Sequence, residues 1–407
     1  MQEETVEVVH VTGGVDTHSQ VHVGAIVNAI GRILGTASFP VSRKGYQDLL
    51  DWMRSFGLLN KIGVEGTGSY GAGLTRFLNR ELVEVVEVNR PNRHLRRRRG
   101  KSDTTDAESA ARAALNGEAT GVPKSGDATV ESIRVLRVAR RSAVKACTQA
   151  TNQLNMLIVT APDVIHECLS GLSTKKRVEH CARFHRTTGT DPLSATKSAL
   201  RCLARRYEAL EAEIVELDQA INYLCVLTNP ALMGAHGVGL EVAATLLVAA
   251  GDNPERMRNE SSFAALCGSS PVEASSGKTV RHRLNQGGNR EANNALWRIV
   301  MVRLSTDPET KAYAARRKSE GKSGREIMRC LKRYVAREMF RLLTNPQPVP
   351  NCDELRTTRL AANISLTTVA RELGSWPTRI SELERGLAHN TKLATRYQTW
   401  LTPQKTA

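Results

Sequence analysis

Three runs rich in β-branched residues, 7–15 (EVVHVTGGV), 21–27 (VHVGAIV) and Arg32–Val41, follow one another with only short breaks between them. Connections as short as Asn28–Gly31 can join only antiparallel neighbours, so a meander is predicted. A helix should open near Ser42, with Tyr46, Leu49, Leu50 and Met53 at helical spacing, and close by Gly57. Lys61–Glu65 then reads as a short strand, Leu74–Arg80 as a short helix and Val83–Val88 as another strand. Three strands followed by alternating helix and strand predict an α/β domain on a mixed sheet.

Acidic residues mark the ends of these elements. Asp16 ends the first strand in Gly-Val-Asp-Thr-His, and Glu65 ends a later one in Val-Glu-Gly-Thr-Gly-Ser-Tyr-Gly. Asp103 and Asp106, in Lys-Ser-Asp-Thr-Thr-Asp-Ala-Glu, are spaced to share one face of a helix's first turn. Four such carboxylates suit Mg²⁺ or Mn²⁺, two ions being the expected number, and hard cations of this kind serve phosphoryl transfer. The competing reading of the helix pair is capping, with Thr105 and Glu108 as a capping box. His18 and His22 lie beside Asp16, where a lone histidine in a strand is more often structural than catalytic.

Charge points to the partner. The chain has 407 residues and a net charge of +16, an excess that attracts polyanions, so nucleic acid is the first candidate. Seven of those basic residues, Arg90, Arg93, Arg96, Arg97, Arg98, Arg99 and Lys101, fall in one run without an acidic residue. Such runs are commonly solvated, but this one sits among the four acidic residues and is read as a phosphate-contacting arm. No stretch approaches a membrane span and no signal-peptide pattern opens the chain, so a cytoplasmic location is expected. The eight cysteines form no Cys-x-x-Cys and read as small core residues, and Trp52, Trp297 and Trp400 likewise as core.

Past residue 125 the pattern turns helical. A helix over about 130–159 is followed by Leu200, Leu203, Tyr207, Leu210, Ile214, Leu217, Ile221 and Leu224, a coiled-coil seam whose partner is either the first helix or a second protomer. Gly234-Ala-His-Gly-Val-Gly-Leu looks like the turn of a helix-hairpin-helix, with backbone N–H groups suited to a phosphate. Pro346, Pro348 and Pro350 mark a linker. Beyond it, Ser365-Leu-Thr-Thr-Val-Ala-Arg-Glu-Leu-Gly and Pro377-Thr-Arg-Ile-Ser-Glu-Leu-Glu-Arg-Gly read as a helix-turn-helix with Thr378, Arg379 and Ser381 facing bases. A small helical bundle for protein contact is the alternative. The expected domains are 1–125, a metal-dependent catalytic domain; 126–228, a coiled-coil segment; 229–345, a mainly α domain; and 353–402, an all-α helix-turn-helix module.

The order strand-end Asp, strand-end Glu and helix-start Asp pair, together with Lys-Ser-Asp-x-x-Asp-Ala, Gly237-Val238-Gly239, Ser275-Ser276-Gly277-Lys278 and Gly288-Asn289-Arg290, resembles the IS110-type transposases, the DEDD recombinases. The resemblance spans roughly residues 10–345. It implies an RNase H-like (RuvC-like) N-terminal domain whose Asp-Glu-Asp-Asp set falls on Asp16, Glu65, Asp103 and Asp106. It also implies a C-terminal transposase domain with a serine nucleophile, Ser276 first and Ser275 second. Gly237, Gly239, Lys278, Asn289 and Arg290 become candidate nucleic-acid contacts. The stretch Gly268-Ser-Ser-Pro-Val-Glu departs from the Gly-Leu-x-Pro type usual in the family. Implied partners are DNA, an element-encoded guide RNA and further copies of the chain, as a dimer or tetramer, in a bacterial cytoplasm and on its nucleoid. Two other readings stand beside this one: a junction-resolving nuclease that uses water as nucleophile, and a non-catalytic DNA-binding regulator built on the helix-turn-helix.

Overall fold

A computed structural model describes residues 9–88, 102–185, 189–277, 279, 282–283, 285–345, 352–386 and 390–402. The basic run Arg90–Lys101 and Lys278 lie outside the described residues. Two compact units are present, one made of residues 1–128 with 250–259 and the other of residues 129–249 with 260–407.

The first unit is a five-stranded mixed sheet in the order β3-β2-β1-β4-β5. Strands β1 (His10–Thr17), β2 (Val21–Asn28) and β3 (Ile33–Pro40) form the antiparallel meander, while β4 (Leu58–Glu65) runs parallel to β1 and β5 (Val85–Val88) parallel to β4. This mixed sheet with its helices is consistent with the RNase H-like α/β domain that the resemblance implied. β1 and β2 are almost continuously buried, as strands covered on both faces must be. On one face lies α1 (Arg43–Arg54), which starts at Ser42, whose hydroxyl accepts the Gly45 N–H. Its Leu49, Leu50 and Met53 are fully buried with Val15, Ile26, Ile62 and Leu74, each such side chain contributing about 1.5–3 kcal/mol. The helix α2 (Ala72–Arg80) adds Leu74 and Leu78 to the same core.

On the opposite face lies α3 (Asp103–Leu115). Its buried residues Ala107, Ala110, Ala111 and Ala114 are all small, and they meet glycines of the sheet. A Cβ built on Gly14 would lie 2.3 Å from Ala107 O, and one on Gly63 would lie 2.6 Å from Ala110 O. The backbone of α3 therefore rests directly on β1 and β4, an approach only glycine permits. Residues 250–259 are fastened to this unit by side chains far away in sequence: Asn253 Nδ2 donates to Pro123 O (3.0 Å) and the Ser125 N–H donates to Asn253 Oδ1 (3.1 Å).

His22 is fully buried on the α1 face of β2, stacked on Tyr46 with ring centroids 5.6 Å apart. Neither ring nitrogen has a hydrogen-bond partner among the described residues. Burial lowers its pKa, and the charge of His18 adds to the effect. The folded state thus binds fewer protons than the unfolded one, so the contribution of His22 is fully present above its unfolded value and is lost as the pH falls through about 6.5. Thermal unfolding between pH 5.5 and 7.5 should show a smaller acid destabilisation in His22→Phe than in the parent. Equal pH dependence in both would refute the assignment.

The second unit begins with two long helices, α4 (Thr129–Val159) and α7 (Pro192–Thr228), joined through α5 (Asp163–Ser170) and α6 (Thr174–Ala182). Leu154 and Ile158 at the end of α4 pack with Leu200 and Ala204 at the start of α7, and Arg140 pairs with Asp218, so the helices run antiparallel. Along the seam read from sequence, Leu200 and Ile221 are buried, and Leu203, Tyr207, Leu210, Ile214, Leu217 and Leu224 are half-buried. Helices α8 (Pro230–Met233), α9 (Leu240–Ala250), α10 (Glu260–Leu266), α11 (Arg290–Thr306), α12 (Pro308–Ser319) and α13 (Gly324–Thr344) follow, with a small hairpin of β6 (Val272–Glu273) and β7 (His282–Arg283). The buried Arg137 ties α4 to α9, donating to Glu241 Oε1 and Thr245 Oγ1, both at 2.7 Å.

The last segment holds α14 (Cys352–Ala361), α15 (Leu366–Glu372), α16 (Pro377–Glu384) and α17 (Thr391–Leu401) around a core of its own that includes Val369, Ile380, Leu383 and Tyr397. Ser365 caps α15 and Gly374 (φ +60°) ends it. Arg359 on α14 makes a buried two-pronged ion pair with Glu384 on α16 at 2.7 and 2.8 Å, and the Tyr397 hydroxyl donates to Glu384 Oε1 at 2.7 Å. Burial, with Glu384 beside it, pushes the Tyr397 hydroxyl pKa up and keeps that donor protonated.

Two sequence expectations are corrected. Cys168 and Cys202 are exposed rather than core, and Trp297 is exposed on α11, whereas Trp52 and Trp400 pack against cores as expected. No helix among the described residues is long and apolar enough to cross a membrane.

Candidate metal centre

The carboxylate cluster is built by the parallel pairing of β1 with β4. Their register places Val15 opposite Val64, so Asp16 and Glu65 stand side by side at the ends of adjacent strands. The Thr17 hydroxyl donates to the Glu65 carbonyl (2.8 Å) and holds the two ends together. Strand alternation assigns Asp16 and Glu65 to the face that carries Gly14 and Gly63, which is the face covered by α3. After Glu65 the chain turns at Gly66 (φ +70°), whose carbonyl accepts the Ser69 and Gly71 N–H groups.

α3 brings the other two. Its N-cap is Ser102, whose hydroxyl accepts the Thr105 N–H at 3.2 Å, so the competing capping box of Thr105 and Glu108 does not form the start of the helix. Asp103 and Asp106 lie inside the first turn, as expected, and neither is the cap. Asp106 is 2% exposed and Asp16 is 7% exposed, whereas Asp103 is open to solvent. Burial raises the Asp16 pKa, and the Asp106 and Asp103 charges raise it further, against the lowering influence of His18.

His18 is the residue that sequence reasoning set aside. Its Nε2 lies 3.1 Å from Asp16 Oδ2 and 3.3 Å from Asp103 Oδ1, bridging two carboxylates. Asp16, His18 and Asp103 each offer a ligand atom within 4.8 Å of the others. Glu65 and Asp106 are not part of that tight group, though both border it through strand register and charge. The spacing Asp-x-His at a strand end was the available signal, since residues i and i+2 of a strand point to one side. The donor set fits a divalent cation. Like charges crowd a buried carboxylate whose desolvation a cation would relieve, and most of the ligands are hard oxygens.

The other expected residues lie in the second unit. Ser276 pairs with Thr279, Gly277 beside it has φ +54°, and Ser275 precedes it; both serines are exposed, between β6 and β7. Gly237 (φ +81°) and Gly239 form the turn between α8 and α9. Asn289 caps α11 through bonds from the Glu291 and Ala292 N–H groups, a structural task that its reading as a nucleic-acid contact did not include. Arg290, Thr378 and Arg379 are exposed, and Ser381 is half-buried.

Comparison with known proteins agrees with both halves of the chain. An IS110 DEDD transposase family model matches residues 13–161, and the model described as transposase IS116/IS110/IS902 family matches residues 229–315. An insertion element IS110 uncharacterized 43.6 kDa protein of Streptomyces coelicolor is 29% identical over 147 residues, covering 36% of this chain. The aligned region spans about a third, 35%, of that relative's length. With two family domains matched in their proper order, this chain belongs to the IS110 family of transposases.

Proposed function

We propose that the protein is a DNA recombinase of an insertion element, in which Asp16, Glu65, Asp103 and Asp106 hold divalent cations, Mg²⁺ or Mn²⁺, and a serine of the second unit attacks the DNA phosphate. The observation that carries the reading is the convergence of Asp16, Asp103 and Asp106 at one sheet end in a chain of net charge +16. When bound, such cations polarise a phosphoryl oxygen and stabilise the attacking and leaving oxygens.

The chain's own residues supply the rest. Asp16 and Asp106, on a strand and a helix locked together through Gly14, give the cations fixed ligands. His18 holds Asp16 and Asp103 in register while the site is being assembled. Ser276, or Ser275 in its place, forms an ester bond to phosphorus as the bond to the leaving deoxyribose oxygen breaks. The serine proton passes to a base and a proton is delivered to the leaving oxygen. Rejoining reverses these transfers, so strand exchange needs no external energy source. Exposure of both serines between β6 and β7 suits approach to a duplex.

The Arg90–Lys101 arm, the Gly237–Gly239 turn, Arg290, and Thr378, Arg379 and Ser381 on α16 are the proposed contacts to DNA, with the α15–α16 pair acting as a helix-turn-helix. An element-encoded RNA is the proposed guide, and a dimer or tetramer working on the bacterial nucleoid the proposed assembly.

The deciding experiment incubates the full chain with Mg²⁺, RNA transcribed from the element's non-coding ends and duplex DNA that includes those ends, then separates the products on a denaturing gel. A protein-linked DNA strand is expected. Free cleaved strands without any protein-linked species would instead establish a nuclease that uses water, and no metal-dependent product at all would leave only a DNA-binding regulator.

A further inference from the structure

A groove of about 630 Å³ opens in the second unit, between the segment Gly268–Pro271, the β7 strand and helices α12 and α13. Eight of its lining residues are Arg or Lys and only Glu326 is acidic; Arg316 and Arg317 pair with Glu320 and Arg337 with Glu260, which leaves the lining with a net positive charge. The one carboxylate is already engaged: Glu326 Oε2 accepts from the Ser323 N–H (2.9 Å) and hydroxyl (2.7 Å) in the capping box that starts α13. Lys322 and Arg329 make no salt bridge among the described residues. Arg333 is held in place by bonds to Ser270 Oγ (2.7 Å) and Ser261 Oγ (3.3 Å), which fix its guanidinium at the groove without neutralising it.

Two aromatic rings stand among these charges. Tyr313 and Tyr334 meet edge to face with centroids 5.6 Å apart, and Arg316 lies 5.4 Å over the Tyr313 ring. Tyr334 is 54% exposed. An exposed ring braced by a second ring and flanked by Lys322, Arg329 and Arg333, none of them in a salt bridge among the described residues, has no purpose in a core. It also offers a duplex nothing, because stacked base pairs hide their faces.

We propose that this groove binds an unpaired nucleic-acid strand, with Tyr334 stacking on a base and Arg316, Lys322, Arg329 and Arg333 tracking the phosphates. A basic channel combined with an exposed aromatic platform is the arrangement that single strands require. The inference rests on the preceding reading only in taking nucleic acid as the ligand, and it needs neither the metal site nor the serine. Two sources offer this chemistry, an unpaired segment of RNA or a DNA strand opened during exchange.

The test measures binding of the full chain to fluorescein-labelled 15-nucleotide oligo-uridylate, oligo-thymidylate and a 15-base-pair duplex by anisotropy at several salt concentrations. Tyr334→Ala should weaken binding of at least one of the two single strands about 5- to 100-fold, the effect of losing one base stack, and leave the duplex unchanged. Tyr334→Phe should restore single-strand binding, since the ring and not the hydroxyl does the stacking. Replacing Lys322 and Arg329 together by Ala should reduce the salt slope for that strand by about 1.4. Which strand loses more on Tyr334→Ala distinguishes RNA from DNA as the source.

Parent-like single-strand binding by Tyr334→Ala overturns the proposal, as does an equal loss on duplex and single strands, or a Phe variant as weak as Ala. Thermal unfolding of each variant separates these outcomes from misfolding, and Lys322→Glu with Arg329→Glu, the first half-buried and the second exposed at the groove, gives a second route if Tyr334→Ala fails to fold. Metal-dependent, protein-linked DNA cleavage that persists alongside a null result here would remove the groove proposal and leave the recombinase reading intact.

Discussion

Asp16→Asn is expected to lower DNA strand cleavage by about 10³-fold or more, equivalent to roughly 4 kcal/mol of transition-state stabilisation. Duplex binding should stay within a few-fold of the parent. The substitution keeps size and shape at a position 7% exposed, and it removes a charge that burial and the neighbouring Asp106 and Asp103 already disfavour. A carboxyl whose folded pKa is raised costs stability when ionised, so in the absence of metal the Asn variant should melt at or above the parent temperature. Adding Mn²⁺ should stabilise the parent and have little effect on the variant. This combination of lost activity, unimpaired stability and a lost metal response would not arise from simple unfolding.

Ser276→Ala provides the complementary result. It should abolish the protein-linked DNA strand and leave the Mn²⁺ stabilisation unchanged, because the serine belongs to the second unit and not to the carboxylate cluster. If Ser275→Ala is the variant that loses the linked strand, the nucleophile is Ser275. If both single variants and the double variant still form linked DNA, the serine assignment fails.

Local pattern carried most of the first unit. The β-branched runs, the Ser42 cap and the short strand ending at Glu65 are all written in neighbouring residues, and the structure differs from them by only a few residues at each end. The start of α3 near Asp103 was legible, but the capping box at Thr105 and Glu108 competed with it because Ser102 and Thr105 are both competent caps. Only the backbone shows that the Thr105 N–H is the one accepted by Ser102. His18 was undervalued for a different reason. A histidine in a strand gains meaning only when a third residue, here Asp103 from a helix some 85 residues later, arrives at the same strand end.

The groove of the second unit was illegible for a related reason. Its cations and tyrosines are spread from Arg283 to Arg337, and each taken alone resembles a solvated helix face. Likewise, nothing in the local sequence marks 250–259 as part of the first unit. Asn253 and its partners Pro123 and Ser125 are about 130 residues apart, and hydrogen bonds at that separation leave no periodicity.

Gly14→Ala should damage both stability and chemistry, although the residue carries no functional group. A methyl there would lie 2.1 Å from Ala111 N and 2.3 Å from Ala107 O. Both are backbone atoms, so no rotamer change can relieve the clash and α3 must move away from the sheet by roughly 1 Å, since overpacked cores respond by backbone shifts. The expected cost is about 3 kcal/mol, the upper part of the range for overpacking, read as a lowered denaturant midpoint. Gly68→Ala is the internal control, because a Cβ there meets nothing within 4 Å and should change stability by less than about 0.5 kcal/mol. The consequence for the site follows from the position of α3, whose first turn carries Asp103 and Asp106. Displacement of about 1 Å at a reacting centre typically reduces rate about 10²-fold, so the folded fraction of Gly14→Ala should cleave DNA poorly and respond weakly to Mn²⁺. A Gly14→Ala protein with parent-like stability and a parent-like metal response would show that close docking of α3 on β1 does not set the carboxylate geometry.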